Sequence, residues 1–373
     1  MFFYEYDLLL YNHAEGGYLM KYKRIIGMLL AVSILFTGCS AVNDNEETDI
    51  NGITALGSAE ETVNLTEETT ETAEMRMFEF NPHVYSKVLA EEIPQDYWDS
   101  FYNLCDALRA GETVFECASQ EAYDFCMLSS TLANLFPAAC TKITGESNDG
   151  SVPFENGTGR IYYKMPVEEF VSREAGFEAV IEEILNENLE YDDDDFEKCL
   201  KLYLYIARNY YYSDDSAEAD ECAFYYTFMT KTGMCVDYGA VYGYLLLQVG
   251  VDALDIGCFE PDMCHAWTYV VLDGQGYHVD TTWALTSCYD SDDVYMEYFL
   301  MSDEDRNQDG CLVRDLTMQA LPQFFLSNSK IKLKADDERY SFPDLSTFVS
   351  LDEENKTVYY KDMSGEIRGM EYA

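Results

Sequence analysis

Asp273-Gly274 is a strong two-residue turn signal in this 373-residue sequence. An Asp-Gly pair between two runs of alternating apolar residues favours a two-residue hairpin turn, because both central positions take positive φ. The flanking runs are His265 to Leu272 and about Gln275 to Thr282. Centring the turn on Asp273-Gly274 pairs Leu272 with Gln275, Val270 with Tyr277 and Trp267 with Asp280. Strand alternation then directs Val270, Leu272, Tyr277 and Val279 to a core, and puts His265, Trp267, His278 and Asp280 on the other face. In that register Asp280 is a diagonal neighbour of His265, within side-chain reach. If Asp273 to Gly276 all belong to the loop, Asp280 falls opposite Tyr269, too far from His265. A His265–Asp280 pair therefore requires the tight turn or a bulge.

A cysteine precedes this hairpin. Val241, Tyr244, Leu245 and Gln248 recur at helical spacing, Gly250 closes the segment, and Thr230-Lys231-Thr232-Gly233 before it reads as a loop. Cys235 thus stands at or near a helix N-terminus, where the dipole and free N–H groups stabilise a thiolate. The same N–H groups can donate to an oxyanion. Cys235, His265 and Asp280 follow one another at separations of 30 and 15 residues. That order suits a triad: a thiol nucleophile, an imidazole that takes its proton, and a carboxylate that orients the imidazole. Attack on a carboxamide would give an acyl-thioester, resolved by water or an amine. A lone cysteine is more often a buried apolar side chain, and His278 is a rival base. His278 lies outside the pattern around His265 and is expected to be structural.

Gly233-Met234-Cys235, His265-Ala266-Trp267 and Asp280-Thr281-Thr282-Trp283 resemble the three motifs of the transglutaminase-like superfamily, over about Phe196 to Trp283. The resemblance implies an α+β, papain-like core with the cysteine at a helix N-terminus packed on an antiparallel sheet. It makes Cys235, His265 and Asp280 the catalytic residues. It gives Met234, Trp267 and Trp283 an oxyanion or site-supporting place. Its members include protein cross-linkers, thiol proteases, peptide amidases and inactive binding domains. No cofactor is expected. Cys264 is foreign to the pattern and could form a disulfide or perturb the site.

Around this centre the chain divides by composition. Residues 1–19 read as an untranslated leader, because Glu15-Gly16-Gly17 can be encoded by a ribosome-binding sequence just upstream of Met20. Residues 20–38 read as a signal peptide: Lys21, Lys23 and Arg24, an apolar run from Ile25 to Phe36, then Thr37-Gly38. Cys39 follows as a lipobox cysteine and would carry the lipid. Residues 39–77 form an acidic, Thr-rich tether too polar to fold. Residues 78–190 read as a mainly helical accessory region. One helix carries Tyr97, Phe101, Leu104 and Leu108. A second, opened by Ser119, carries Phe125, Leu128 and Leu132. The catalytic domain spans 191–325, its Asp192–Asp195 run capping a helix that holds Phe196, Leu200, Tyr203 and Ala207. Residues 326–373 end in a β-hairpin about Ser364-Gly365.

The formal net charge of −47 disfavours nucleic acid and anionic lipid headgroups and favours basic or neutral partners. No CxxC pair or zinc-type ladder occurs among the twelve cysteines, which are expected to be mostly buried free thiols. Asp305 to Gly310 resembles half of a calcium loop, but Leu316 stands where a bidentate acid is needed, so a solvated acidic turn is expected and no metal. The expectation for the whole is a lipid-anchored cysteine peptidase or amidase on the outer face of a bacterial cell membrane, acting on peptide, protein or cell-wall peptide. A non-catalytic surface protein of the same fold is the alternative.

Overall fold

The chain reverses at Asp273 (φ 51°) and Gly274 (φ 75°), and Gln275 pairs with Leu272 across the turn. Tyr277 faces Val270 and Val279 faces Thr268, so the tight register holds and no bulge is needed. In this computed structural model the described residues are 76–147, 150–213, 220–260, 263–286, 293–310, 317–318 and 331–373. The expected leader, signal peptide, lipidation residue Cys39 and almost all of the tether lie outside them.

Strand Met263–Leu272 lies between Gln275–Val279 on one side and Asp252–Glu260 on the other. Thr317–Met318 adds a short fourth strand beyond Asp252–Glu260, and every pair in this sheet is antiparallel. Both faces of the hairpin are covered. Val270, Tyr277 and Val279 are buried, and so are Trp267, His278 and Asp280. The second face is therefore no open surface, and its polar groups must find partners inside the protein.

Helix Cys235–Gln248 packs on this sheet, and glycine sets how closely. A Cβ on Gly239 would lie 2.6 Å from Asp255 Oδ1 and 3.0 Å from the Trp267 carbonyl oxygen. The Thr268 hydroxyl donates to the Gly239 carbonyl at 2.8 Å, pinning helix to strand. A bulkier residue at 239 would lever the helix, and Cys235 with it, away from the strand that carries His265. The architecture is α+β, with helix and antiparallel sheet sharing one core.

The rest of Met77–Ala373 belongs to the same compact unit. Helix Gln95–Arg109 buries Phe101, Leu104 and Leu108, as its periodicity predicts, but Trp98 takes the buried place expected of Tyr97, which is half-buried. The helix opened by Ser119 is interrupted. Ser119 caps Gln120–Met127 through the Ala122 N–H, then Leu128 turns extended and a new helix runs Ser129–Leu135. Ser129, Ser130 and Thr131 favour local side-chain–backbone bonding over helix continuation, which accounts for the break. Helix Val167–Asn188 places Phe177 against Tyr225, Phe228 and Tyr244 at centroid distances of 5.6, 5.3 and 6.0 Å. The accessory helices therefore pack directly on the elements that present Cys235.

Asp194 caps helix Asp195–Asn209 by accepting from the Glu197 N–H at 2.9 Å, while Glu197 accepts from the Asp194 N–H at 2.8 Å. The C-terminal hairpin is part of a larger piece. Thr347–Asp352, Thr357–Lys361 and Ile367–Glu371 make a three-stranded sheet, because Thr347–Asp352 pairs with the hairpin's first strand. It docks on the capped helix end: Tyr372 stacks on Phe196 at 4.3 Å and its hydroxyl donates to Glu197 at 2.6 Å.

Candidate active site

Three elements deliver the three predicted residues. Cys235 is the first residue of its helix and is half-buried. A short parallel pair, Tyr211–Tyr212 with Thr232–Gly233, fixes the chain just before it. Gly233 is crowded there: a Cβ would lie 2.6 Å from Thr227 Oγ1 and 2.9 Å from the Asp237 side chain. His265 sits near the start of strand Met263–Leu272, opposite Cys258. Asp280 directly follows strand Gln275–Val279, with its N–H donated to the Tyr298 carbonyl at 2.9 Å.

His265 Nε2 and Asp280 Oδ2 are 2.6 Å apart, and both side chains are buried. Burial alone would depress the imidazole. Asp280 by charge and hydrogen bond, together with a hydrogen bond to Cys235, outweighs it and raises His265 from 6.5 to about 9. Burial likewise pushes the Asp280 carboxyl up, but His265, Arg306 and the Trp283 N–H overcome it and hold Asp280 at about 2. That N–H donates to Asp280 Oδ1 at 3.0 Å. At neutral pH the pair is an imidazolium and a carboxylate.

The two tryptophans frame this pair. Trp283 stacks on the His265 ring at 4.8 Å and 12°. The Trp267 indole N–H donates to His278 Nδ1 at 2.9 Å, and His278 Nε2 meets Asp303 Oδ1 at 3.0 Å. His278 is fully buried, and burial first of all keeps its imidazole below its ordinary value. It holds Trp267 in place and does not face the thiol as a base, in keeping with the structural role expected of it. Cys264 is an exposed free thiol, and strand alternation points it away from His265. The nine cysteines among the described residues are all free, and only Cys235 and Cys264 are not buried.

Met234 requires a correction. Its N–H donates to Asp237 Oδ2 at 2.8 Å, so it is not available to an oxyanion. The first-turn N–H groups that remain suited to that role begin with Cys235 itself.

Sequence reasoning missed Arg306. Its guanidinium is fully buried, 4.3 Å from the Trp267 ring centroid and 4.5 Å from that of Trp283. Arg306 Nη2 is 2.9 Å from Asp280 Oδ2, and Nη1 is 3.6 Å from Asp309. Its nitrogens make no aligned hydrogen bond among the described residues, so charge and ring contact hold it. The signal available was a lone arginine in an acidic stretch, shortly after two tryptophans. The solvated acidic turn expected over Asp305 to Gly310 is in its first part helix, and Leu316, on which the calcium-loop reading turned, lies outside the described residues. Asp303–Gln308 is a helix, capped by Ser302. Asp305 Oδ2 accepts from the Ser302 N–H, the Ser302 hydroxyl and the Ser341 hydroxyl. Among the described residues no group of three or more His, Cys, Asp or Glu could hold a metal ion.

Beside the site lies a buried pair of acids. Burial raises Asp237 to about 6, against the pull of the Met234 N–H. Asp255 is buried with neither oxygen partnered among the described residues, and burial, then Asp237, pushes it well above the usual carboxylate range. A carboxyl raised on folding contributes stability that is full below its unfolded value, about 3.9, and that is lost as pH rises toward the folded value. Asp255→Asn keeps the shape and removes the titration. Its melting temperature at pH 8 should exceed that of wild type by about 2 °C or more, and the decline of stability between pH 5 and 8 should flatten. Parallel melting curves for the two proteins across that range would show that Asp255 is not a buried neutral acid.

With the geometry in place, three comparisons with known proteins can be set beside it. Residues 183–281 match the transglutaminase-like superfamily. A crystal structure of a "putative cysteine protease" from Cytophaga hutchinsonii matches at 18% identity, over 28% of this chain and 37% of that one, with a TM-score of 0.24. No curated protein matches. The family segment contains Cys235, His265 and Asp280 and ends one residue past the last of them; Arg306 lies beyond it.

Proposed function

We propose that this protein, whose residues 183–281 match the transglutaminase-like superfamily, is a cysteine enzyme that opens amide bonds of peptides or proteins through an acyl-thioester. The observation that carries the reading is the buried 2.6 Å contact between His265 and Asp280, beside a cysteine at a helix start. Because His265 Nε2 is bound to Asp280, Nδ1 is the nitrogen left for the thiol. The Cys235 thiolate attacks the carbonyl carbon. The Cys235 N–H meets the developing oxyanion, and His265 gives its proton to the leaving amine. Water or a second amine then attacks the thioester, and His265 takes a proton from it. Hydrolysis is favoured over cross-linking because water is the default acceptor at a half-buried sulfur.

The same reading puts the enzyme outside the cell, held to the membrane by lipid on Cys39 and facing peptide, protein or cell-wall peptide. The net charge of −47 argues against nucleic acid as a partner.

The test is to expose wild type and Cys235→Ala to a peptide mixture and to a peptidyl electrophile, then locate the adduct by peptide mass. Turnover that vanishes in the variant, with the adduct on Cys235, is the expected outcome. Added amine should divert product if acyl transfer competes with water. Equal turnover by both proteins, or wild type with neither turnover nor adduct, would leave the fold as a binding surface.

A further inference from the structure

We propose that Arg306 is a positioning residue of the cysteine site, holding Trp283 against the His265 ring and balancing the charge of Asp280. The role rests on the thiol chemistry proposed above. A fully buried guanidinium without an aligned hydrogen bond carries a large desolvation penalty. What offsets it is the 2.9 Å ion pair with Asp280 and two aromatic faces at 4.3 and 4.5 Å. For stability alone an apolar side chain of similar size would serve as well or better, since buried ion pairs seldom outperform well-packed apolar groups.

The site shows what the charge can do. In the reactive form the charged groups are the Cys235 thiolate, the His265 imidazolium and the Asp280 carboxylate, with a sum of −1. Arg306 brings that sum to zero. The proton that leaves Cys235 goes to His265, and Arg306 stays protonated throughout. The other groups facing it are Asp309, 3.6 Å away at the end of its own helix, and His278, whose imidazole burial keeps below its ordinary value. Geometry adds a second effect. The guanidinium fills the gap between two indoles, one fixed by His278 and Asp303, the other stacked on His265. The Ser302–Asp305 capping box holds the short helix from which Arg306 projects. A lysine could supply the charge but not the planar filler.

The experiment compares wild type, Arg306→Met and Arg306→Lys by the pH profile of iodoacetamide alkylation at Cys235, read from the mass of its peptide, beside the melting temperature. Arg306→Met should move the whole profile to higher pH by about 1–2 units, because removing a nearby positive charge disfavours the thiolate and retains the imidazolium. Arg306→Lys should keep the profile in place while peptide turnover falls about tenfold through kcat, with KM little changed. Should Arg306→Met fail to fold, the lysine variant decides alone. Variants that melt lower but match the wild-type profile and turnover per folded molecule would overturn the proposal. A wild-type profile of ordinary thiol shape is a separate result, and it counts against the proposed function itself.

Discussion

Replacing His265 with alanine should strip Cys235 of its reactivity below pH 8. In wild type, His265 keeps its proton up to about 9, so a positive charge stands beside the thiol across the neutral range. Alkylation of Cys235 at neutral pH should therefore be faster in wild type than in the variant. In His265→Ala it should follow an ordinary thiol titrating near 8.5. At pH 6 that leaves about one thiolate in 300 molecules. The more basic thiolate is intrinsically the better nucleophile and regains part of the loss, so alkylation should fall by roughly tenfold. Peptide turnover should fall much further, by about 10³-fold or more, because the leaving amine also loses its proton donor. Stability changes in step. The His265 contribution is full below its unfolded value of about 6.5 and is lost as pH rises through about 9. Melting curves of wild type and variant should converge at alkaline pH. A variant with the wild-type alkylation profile would remove His265 from the mechanism.

Asp280→Ala should be the most destabilising single change at the site. Asp280 is where His265, Arg306 and the Trp283 N–H meet. Removing it leaves the Arg306 guanidinium buried beside two indoles without its closest counter-charge. Breaking a buried pair in this way costs about 3–5 kcal/mol, far more than removing a surface pair. The wild-type contribution of Asp280 is present above its unfolded value near 3.9 and is lost as pH falls through about 2. The deficit of the variant should therefore be largest at neutral pH and should shrink in strong acid. Asp280→Asn keeps the shape, should lose less stability, and should still lower turnover by about 10²–10⁴-fold by disturbing the imidazole's tautomer. Chemical denaturation at pH 7 and pH 3 measures the first claim. An Asp280→Ala midpoint equal to that of wild type would mean that Arg306 finds its counter-charge elsewhere.

The site was legible where local rules act. An Asp-Gly turn has one favoured conformation, so its register followed from two residues, and with it the closeness of His265 and Asp280. The helix start at Cys235 followed from apolar spacing. The misses share a different cause. Met234 was placed by motif position, but whether an N–H is free depends on what the side chain three residues on does, and here Asp237 reaches back to it. Arg306 was invisible because its partners, Trp267, Asp280 and Trp283, lie 23 to 39 residues upstream and meet it only through tertiary folding. The break at Leu128 was lost because three hydroxyl residues compete locally with a hydrophobic period that continues across them. In the C-terminal sheet the hairpin was readable from Ser364-Gly365, while its third strand, Thr347–Asp352, carried no turn signal to announce it.

Phe177 meets Tyr225, Phe228 and Tyr244 in one aromatic cluster that joins helix Val167–Asn188, most of which precedes the matched segment, to the helix of Cys235. The recognisable segment and the compact unit are thus different lengths of chain. Excising 183–281 would strip the cover from Phe228 and Tyr244 and also discard Arg306. The excised fragment would retain all three motif residues yet should be sticky, protease-sensitive and inert. Assays of this protein call for a chain that includes all of Met77–Ala373.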